Sequence, residues 1–245
     1  MRADPFRQRR LLDLQGIDTR LAQIAHARTH LPQHAELADL ERKAGLIDDQ
    51  IVRTRTALGD VQREVAKAEA AVQQVRDRAA RDQARLDSGV GTAKDLQALQ
   101  HELGSLARRQ GELEDLELEV MERAEALESD SAELERGRAE LGGRIAAVQA
   151  ARDARLAELD GEARQVGGPR PAVVEEAGAE LVALYEKIRA TSGTGAAALS
   201  RRRCEGCRLE LNQVELDGIR AAASDAVVRC EECRRILVRT EESGL

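Results

Sequence analysis

Two heptad registers run through most of this chain and leave it few folds to choose from. Leu37, Leu40, Ala44, Ile47, Ile51, Thr54, Leu58, Val61, Val65, Ala68, Val72, Val75, Ala79, Asp82 and Leu86 alternate by three and four residues, and thirteen of the fifteen are apolar. Such spacing lines one face of a helix and requires a second helix against it. Beyond Asp87-Ser88-Gly89-Val90-Gly91 a second register begins. Leu99, Leu106, Leu113, Val120, Leu127, Leu134, Leu141 and Val148 recur at every seventh position. Their companions are Leu96, Leu103, Gln110, Glu117, Ala124, Ser131, Arg138 and Ile145. Half of these are polar, so the second seam reads as looser, with room for a third helix at Gln110, Glu117, Ser131 and Arg138.

The glycines near 87–92 permit a chain reversal, and Thr92 with Asp95 three residues on forms a capping-box-like start for the next helix. Antiparallel pairing about that turn sets opposite each other residues whose numbers sum to about 182. An earlier stretch, Leu14, Ile17, Leu21, Ile24 and Leu31, keeps the rhythm but is out of phase with the register that starts at Leu37. The break falls near 29–34, where Pro32 lacks an amide donor and clashes with the preceding turn. The second helix is expected to end at Gly167-Gly168-Pro169. A third amphipathic helix is expected over 171–189, then a flexible connection at 191–195. The predicted organisation is a helical hairpin over 1–168, a linking helix and connection over 169–195, and a small domain over 196–245. Composition agrees: charged residues are 34% and aromatics 1%, only Phe6 and Tyr185, as suits long packed helices better than an ordinary globular core.

The small domain carries the only four cysteines, as Cys204/Cys207 and Cys230/Cys233. Two Cys-x-x-Cys pairs separated by 22 residues give the pattern of a four-cysteine zinc ribbon. A two-residue gap lets both thiolates of one knuckle face the same point, and two knuckles complete a tetrahedron. Four thiolates leave no open position, so the one Zn²⁺ they would hold is structural. The alternatives are redox pairs or disulfides, and iron in place of zinc. Short strands are expected at 196–199, 227–229 and 236–238, with a short helix over 212–222. The fold class is therefore mainly α: a long antiparallel coiled-coil hairpin plus a small C-terminal zinc ribbon with short β-strands.

On these residues the chain resembles a bacterial family of four-cysteine zinc-ribbon proteins with a long N-terminal helical hairpin. Cys204-Glu205-Gly206-Cys207 and the tail from Val228 through Cys230, Cys233 and Ile236 to Val238 carry one half of the resemblance. Thr92-Ala93-Lys94-Asp95-Leu96, at the hairpin tip, looks like the family's Asn-Pro-Lys-Glu-Leu-type signature. Thr92 and Ala93 stand where Asn and Pro are usual, and Arg234 where Gly commonly follows the last cysteine. The resemblance implies an adaptor. It associates such proteins with RNA binding and with an alternative sigma factor in flagellar or secretion contexts.

Charge bounds the partners. The net charge is −7, which disfavours general nucleic-acid binding and leaves only a local site. Between positions 200 and 239 nine Arg face seven acids, and Arg201, Arg202, Arg203, Arg208, Arg234 and Arg235 are candidate phosphate contacts. The ribbon has no aromatic residue, so it cannot stack unpaired bases. Lys94, Asp95, Gln97 and Gln100 are candidate contacts for a protein partner at the tip, with the transcription machinery suggested by the resemblance. His26, His30 and His34 read as solvent-exposed, since no cysteine or paired carboxylate completes a metal site. No phosphate loop, nucleophile set or open metal position indicates an enzyme or a small-molecule substrate. No run is apolar enough for a membrane, and the start lacks the apolar core of a signal peptide. The expectation is a cytoplasmic adaptor acting on a protein or on RNA or DNA in transcription or translation. The alternative is a protein-only scaffold or chaperone-like adaptor.

Overall fold

The computed structural model describes every residue, Met1–Leu245. Helices α1 (Pro5–Thr29), α2 (Pro32–Asp87), α3 (Ala93–Gly167), α4 (Arg170–Ala177) and α5 (Ala179–Ser192) precede strands β1 (Ala196–Ser200) and β2 (Arg203–Cys204). Helix α6 (Gln213–Ala221) and strands β3 (Val228–Arg229) and β4 (Ile236–Arg239) complete the chain. Two compact units result: Ala35–Gln149, and Met1–His34 together with Ala150–Leu245.

The unit Ala35–Gln149 is an antiparallel helix pair whose seam follows the heptads residue for residue. All fifteen positions of the first register and all sixteen of the second are buried or half-buried. The polar companions do not open the seam to a third helix, contrary to the sequence expectation. Arg138 Nε donates to Asp48 of α2 at 2.8 Å, and Ser131 is 8% exposed. Gln110 and Ser131 bond along their own helix to Glu114 and Glu135, and Glu117 is half-buried. Further ion pairs cross between the helices: Arg55–Glu135, Glu64–Arg123, Arg76–Glu114 and Arg78–Glu102. Rising numbers on α2 meet falling numbers on α3, as an antiparallel register demands. At the reversal Gly89 and Gly91 take φ of +69° and +141°. Thr92 N and Oγ1 both donate to Asp95 Oδ2, at 2.9 and 2.7 Å, and Asp95 N returns a bond to Thr92 Oγ1 at 3.3 Å. These bonds satisfy amides that a helix start leaves without partners.

In the other unit the chain breaks between α1 and α2 at His30-Leu31, and Pro32 opens α2 where its missing N–H is not needed. The expected helix over 171–189 is two helices. Gly178, at φ +89°, ends α4 and starts α5, a conformation that a side chain would resist. The connection at 191–195 is anchored rather than flexible. Gly193 closes α5 in the left-handed region, and Gly195 N donates to Gln15 Oε1 at 2.7 Å. A Cβ on Gly195 would lie 2.4 Å from the Tyr185 ring, so only glycine fits.

The sheet has the order β2-β1-β4-β3, with β1 and β4 parallel and the outer pairings antiparallel. β2 was not foreseen; it is too short to show an alternating pattern. Strand β4 alternates between two cores, as the pleat requires. Ile236 and Val238 pack with Leu11, Leu14, Leu181 and Tyr185 from the helices. Leu237 packs instead with Cys204, Cys230, Leu216 and Ile219.

Candidate metal centre

Two similar turns present the cysteines. In the first, Arg208 N donates to Cys204 O at 2.7 Å and Cys204 N to Leu209 O at 3.0 Å. In the second, Arg234 N donates to Cys230 O at 2.9 Å and Cys230 N to Arg235 O at 3.1 Å. Arg208 and Arg234 both sit in the left-handed region, at φ +63° and +60°. The departure from Gly at Arg234 therefore does not prevent β4 from forming. Gly206 is required inside the first turn, because a Cβ there would meet Ala197 Cβ and Arg235 Cδ at 2.9 Å.

The four Sγ atoms lie within 4.8 Å of one another. Cys204–Cys233 and Cys207–Cys230 are each separated by 3.8 Å. A tetrahedron built on Zn–S bonds of about 2.3 Å has edges of about 3.8 Å, so the donors fit zinc. A disulfide would need about 2.05 Å, and all four cysteines are free, which removes the disulfide alternative. Burial pushes the Cys204 thiol up to about 12, against the backbone amides of Cys207 and Gly206. Burial likewise raises Cys230, with the Cys233 amide opposing it. At Cys233 burial is outweighed by the Arg235 amide and the neighbouring thiols, and the thiol is lowered. Amides aimed at sulfur stabilise part of the thiolate charge, and a dication supplies the remainder. Zinc here is a cross-link with no open coordination position.

Residues 14–193 match the family of CT398-like coiled coil hairpin domains, and residues 203–237 match a C4-type zinc ribbon domain. The chain belongs to the CT398-like hairpin family. An uncharacterised protein of Mycobacterium tuberculosis is 42% identical over 98% of both chains. One of Mycobacterium leprae is 34% identical over 89% of this chain and 94% of its own. A solved structure from Mycobacterium smegmatis superposes with a TM-score of 0.86 at 42% identity, over 98% of this chain and 100% of that one. CT398 of Chlamydia trachomatis shares the fold at a TM-score of 0.68 and 18% identity, over 96% and 98% of the two chains. Neither matched domain is named for a catalytic activity, and no helix of this CT398-like protein is long and apolar enough to cross a membrane.

The predicted arginines divide into two groups. Arg201, Arg202, Arg203, Arg208 and Arg234 are exposed. Arg235 is half-buried and donates to the carbonyls of Ser192, Thr194 and Gly206, so it is a structural brace and not a free cation. At the tip Lys94, Gln97 and Gln100 are exposed. Asp95 is committed to the cap, and its hydrogen bonds from Thr92 hold the carboxyl below its usual range. His26, His30 and His34 are exposed, and the first two stack at 3.8 Å.

Sequence reasoning missed a buried polar junction on α1. Asp18, 2% exposed, accepts from Arg170 Nε at 2.8 Å and from Tyr185 Oη at 2.9 Å, with Arg189 at 3.4 Å. Burial first, then Asp18, raises the Tyr185 phenol well above its usual range. The one available signal was phase, since Gln8, Gln15 and Asp18 share the inward face of Leu11 and Leu14.

Proposed function

We propose that this protein is a non-enzymatic cytoplasmic adaptor in transcription or translation. Its ribbon holds the phosphate backbone of a nucleic acid, and its hairpin tip (Lys94, Gln97 and Gln100 beside the Asp95 cap) is a second end for a protein partner. One observation carries the ribbon reading. The non-glycine residues with positive φ are Arg201, Arg202, Arg208 and Arg234, all in the ribbon. Left-handed backbone costs an L-residue roughly 1–2 kcal/mol, and glycine would avoid that cost. Holding arginine at four such positions is the kind of strain that gathers at binding sites. None of the four has a carboxylate within ion-pair distance, whereas the hairpin arginines Arg55, Arg76, Arg78, Arg123 and Arg138 do.

Fluorescence anisotropy with labelled RNA and DNA oligonucleotides tests this. Binding should weaken steeply with salt, and substituting Arg201→Ala, Arg202→Ala and Arg203→Ala together should flatten that dependence. Removing one contact to a duplex phosphate reduces the log–log slope by about 0.9. Unchanged binding in the triple variant sinks the ribbon reading. A second reading is a protein-only scaffold, favoured by apolar side chains left in solvent on the ribbon, Leu209 at 51% and Val214 at 82% exposure. Partners retained after nuclease treatment in a pull-down from lysate would support it.

A further inference from the structure

The geometry points to zinc acting as a clamp on the N-terminal helix: the metal that closes the ribbon also holds α1 and α5 in place. Strand β4 is the link. Leu237 is fully buried on the side of Cys204 and Cys230, while its neighbours Ile236 and Val238 are fully buried against Leu11, Leu14 and Tyr185. β1 is divided in the same way, with Ala196 on the helical side and Ala197 and Leu199 on the metal side. Neither core can lose the strand pair and remain closed.

Backbone bonds tie the same parts together. Ile236 N donates to Gly195 O, and Gly195 N to Gln15 Oε1 on α1. The chain start joins as well, with Ala3 N donating to Asp225 O at 2.8 Å and Val227 N to Met1 O at 3.3 Å. Arg235, two residues after Cys233, bonds the first knuckle at Gly206, the entry to β1 at Thr194 and the end of α5 at Ser192. A sheet whose outer strands are two residues long each, with no aromatic in the core on its metal side, does not keep that side closed unaided. Small cores of this kind depend on a metal or other staple. Removing zinc therefore loosens β1 and β4 and, through them, frees the inward face of α1. The seam of Ala35–Gln149 shares no residue with either core and keeps its own packing.

Hydrogen–deuterium exchange on the full chain, zinc-loaded and then stripped with a strong chelator under reducing conditions, tests the clamp. Amides of α1 and α5 should exchange at least about tenfold faster once zinc is gone, while those of α2 and α3 within Ala35–Gln149 stay protected. Re-adding zinc should restore protection. Cys233→Ser, which leaves three of the four thiolates, should reproduce the stripped pattern. Arg235→Ala should still bind one zinc yet expose the end of α5. Unchanged protection of α1 in both the stripped protein and Cys233→Ser would overturn the proposal, as would an equal loss of protection along the whole chain.

Discussion

Asp18 shows what one residue can hold together. Its carboxylate accepts hydrogen bonds from Arg170 and Tyr185, at separations of 152 and 167 residues, and pairs with Arg189 at 3.4 Å. Asp18→Ala would leave the Tyr185 phenol without its acceptor and two guanidinium groups sharing Glu186 alone. Breaking a fully buried pair costs about 3–5 kcal/mol, but Arg170 and Arg189 remain 30% exposed. Solvent screening brings the expected loss to about 2–3 kcal/mol, read as a lower urea midpoint for the unit holding α1. Tyr185 adds a pH dependence. Its folded pKa is raised above the unfolded value of about 10, so its contribution is complete below about pH 10 and is lost as pH rises beyond that. Because Tyr185 is the one tyrosine, ultraviolet titration of tyrosinate reports it alone. Ionisation at its ordinary value would contradict the buried junction. The cysteines were legible because spacing alone defines a knuckle. Asp18 was not, because a polar residue on a helix reads as solvent face until its partners are placed beside it.

Among the elements, those built on repetition were legible and those built on a single exception were not. Fifteen and sixteen heptad positions reinforce one another, so no single polar companion could shift α2 or α3. Strand β4 has four residues and could be placed by β-branched composition, but not shown to serve two cores. The split between α4 and α5 rests on Gly178 alone. The knuckle turns lend themselves to a direct test of strain against function. Arg234→Gly relieves a left-handed φ of +60° and removes a side chain with no ion-pair partner. It should leave the ribbon equally stable or stabilise it by up to about 1 kcal/mol, since relief of strain is partly offset by a more flexible unfolded chain. Nucleic-acid binding should weaken at the same time. Thermal unfolding and anisotropy on the same sample distinguish this from a purely structural arginine, whose loss would lower stability and leave binding unchanged.

For the molecule as a whole, the seam and not the charge decoration sets the stability of the hairpin. The five ion pairs that cross between α2 and α3 all involve side chains at least a third exposed, and such pairs contribute about 0–1 kcal/mol each. Raising sodium chloride from about 0.05 to about 0.5 M should therefore move the hairpin's Tm by no more than about 5 °C. Leu113→Ala, at an 8% exposed seam position, should cost about 2–5 kcal/mol. A large salt effect with a small effect of Leu113→Ala would reverse that assignment. The sequence by itself determined the helical hairpin, its turn and the four-thiolate metal site, because each depends on local periodicity or on spacing within a few residues. Only the tertiary structure decided that Arg235 is a brace, that Asp18 is a buried junction, and that the ribbon shares a strand with the helices. Those facts arise from contacts between segments up to about two hundred residues apart, where the side chain's own chemistry is the same whether it meets water or a partner.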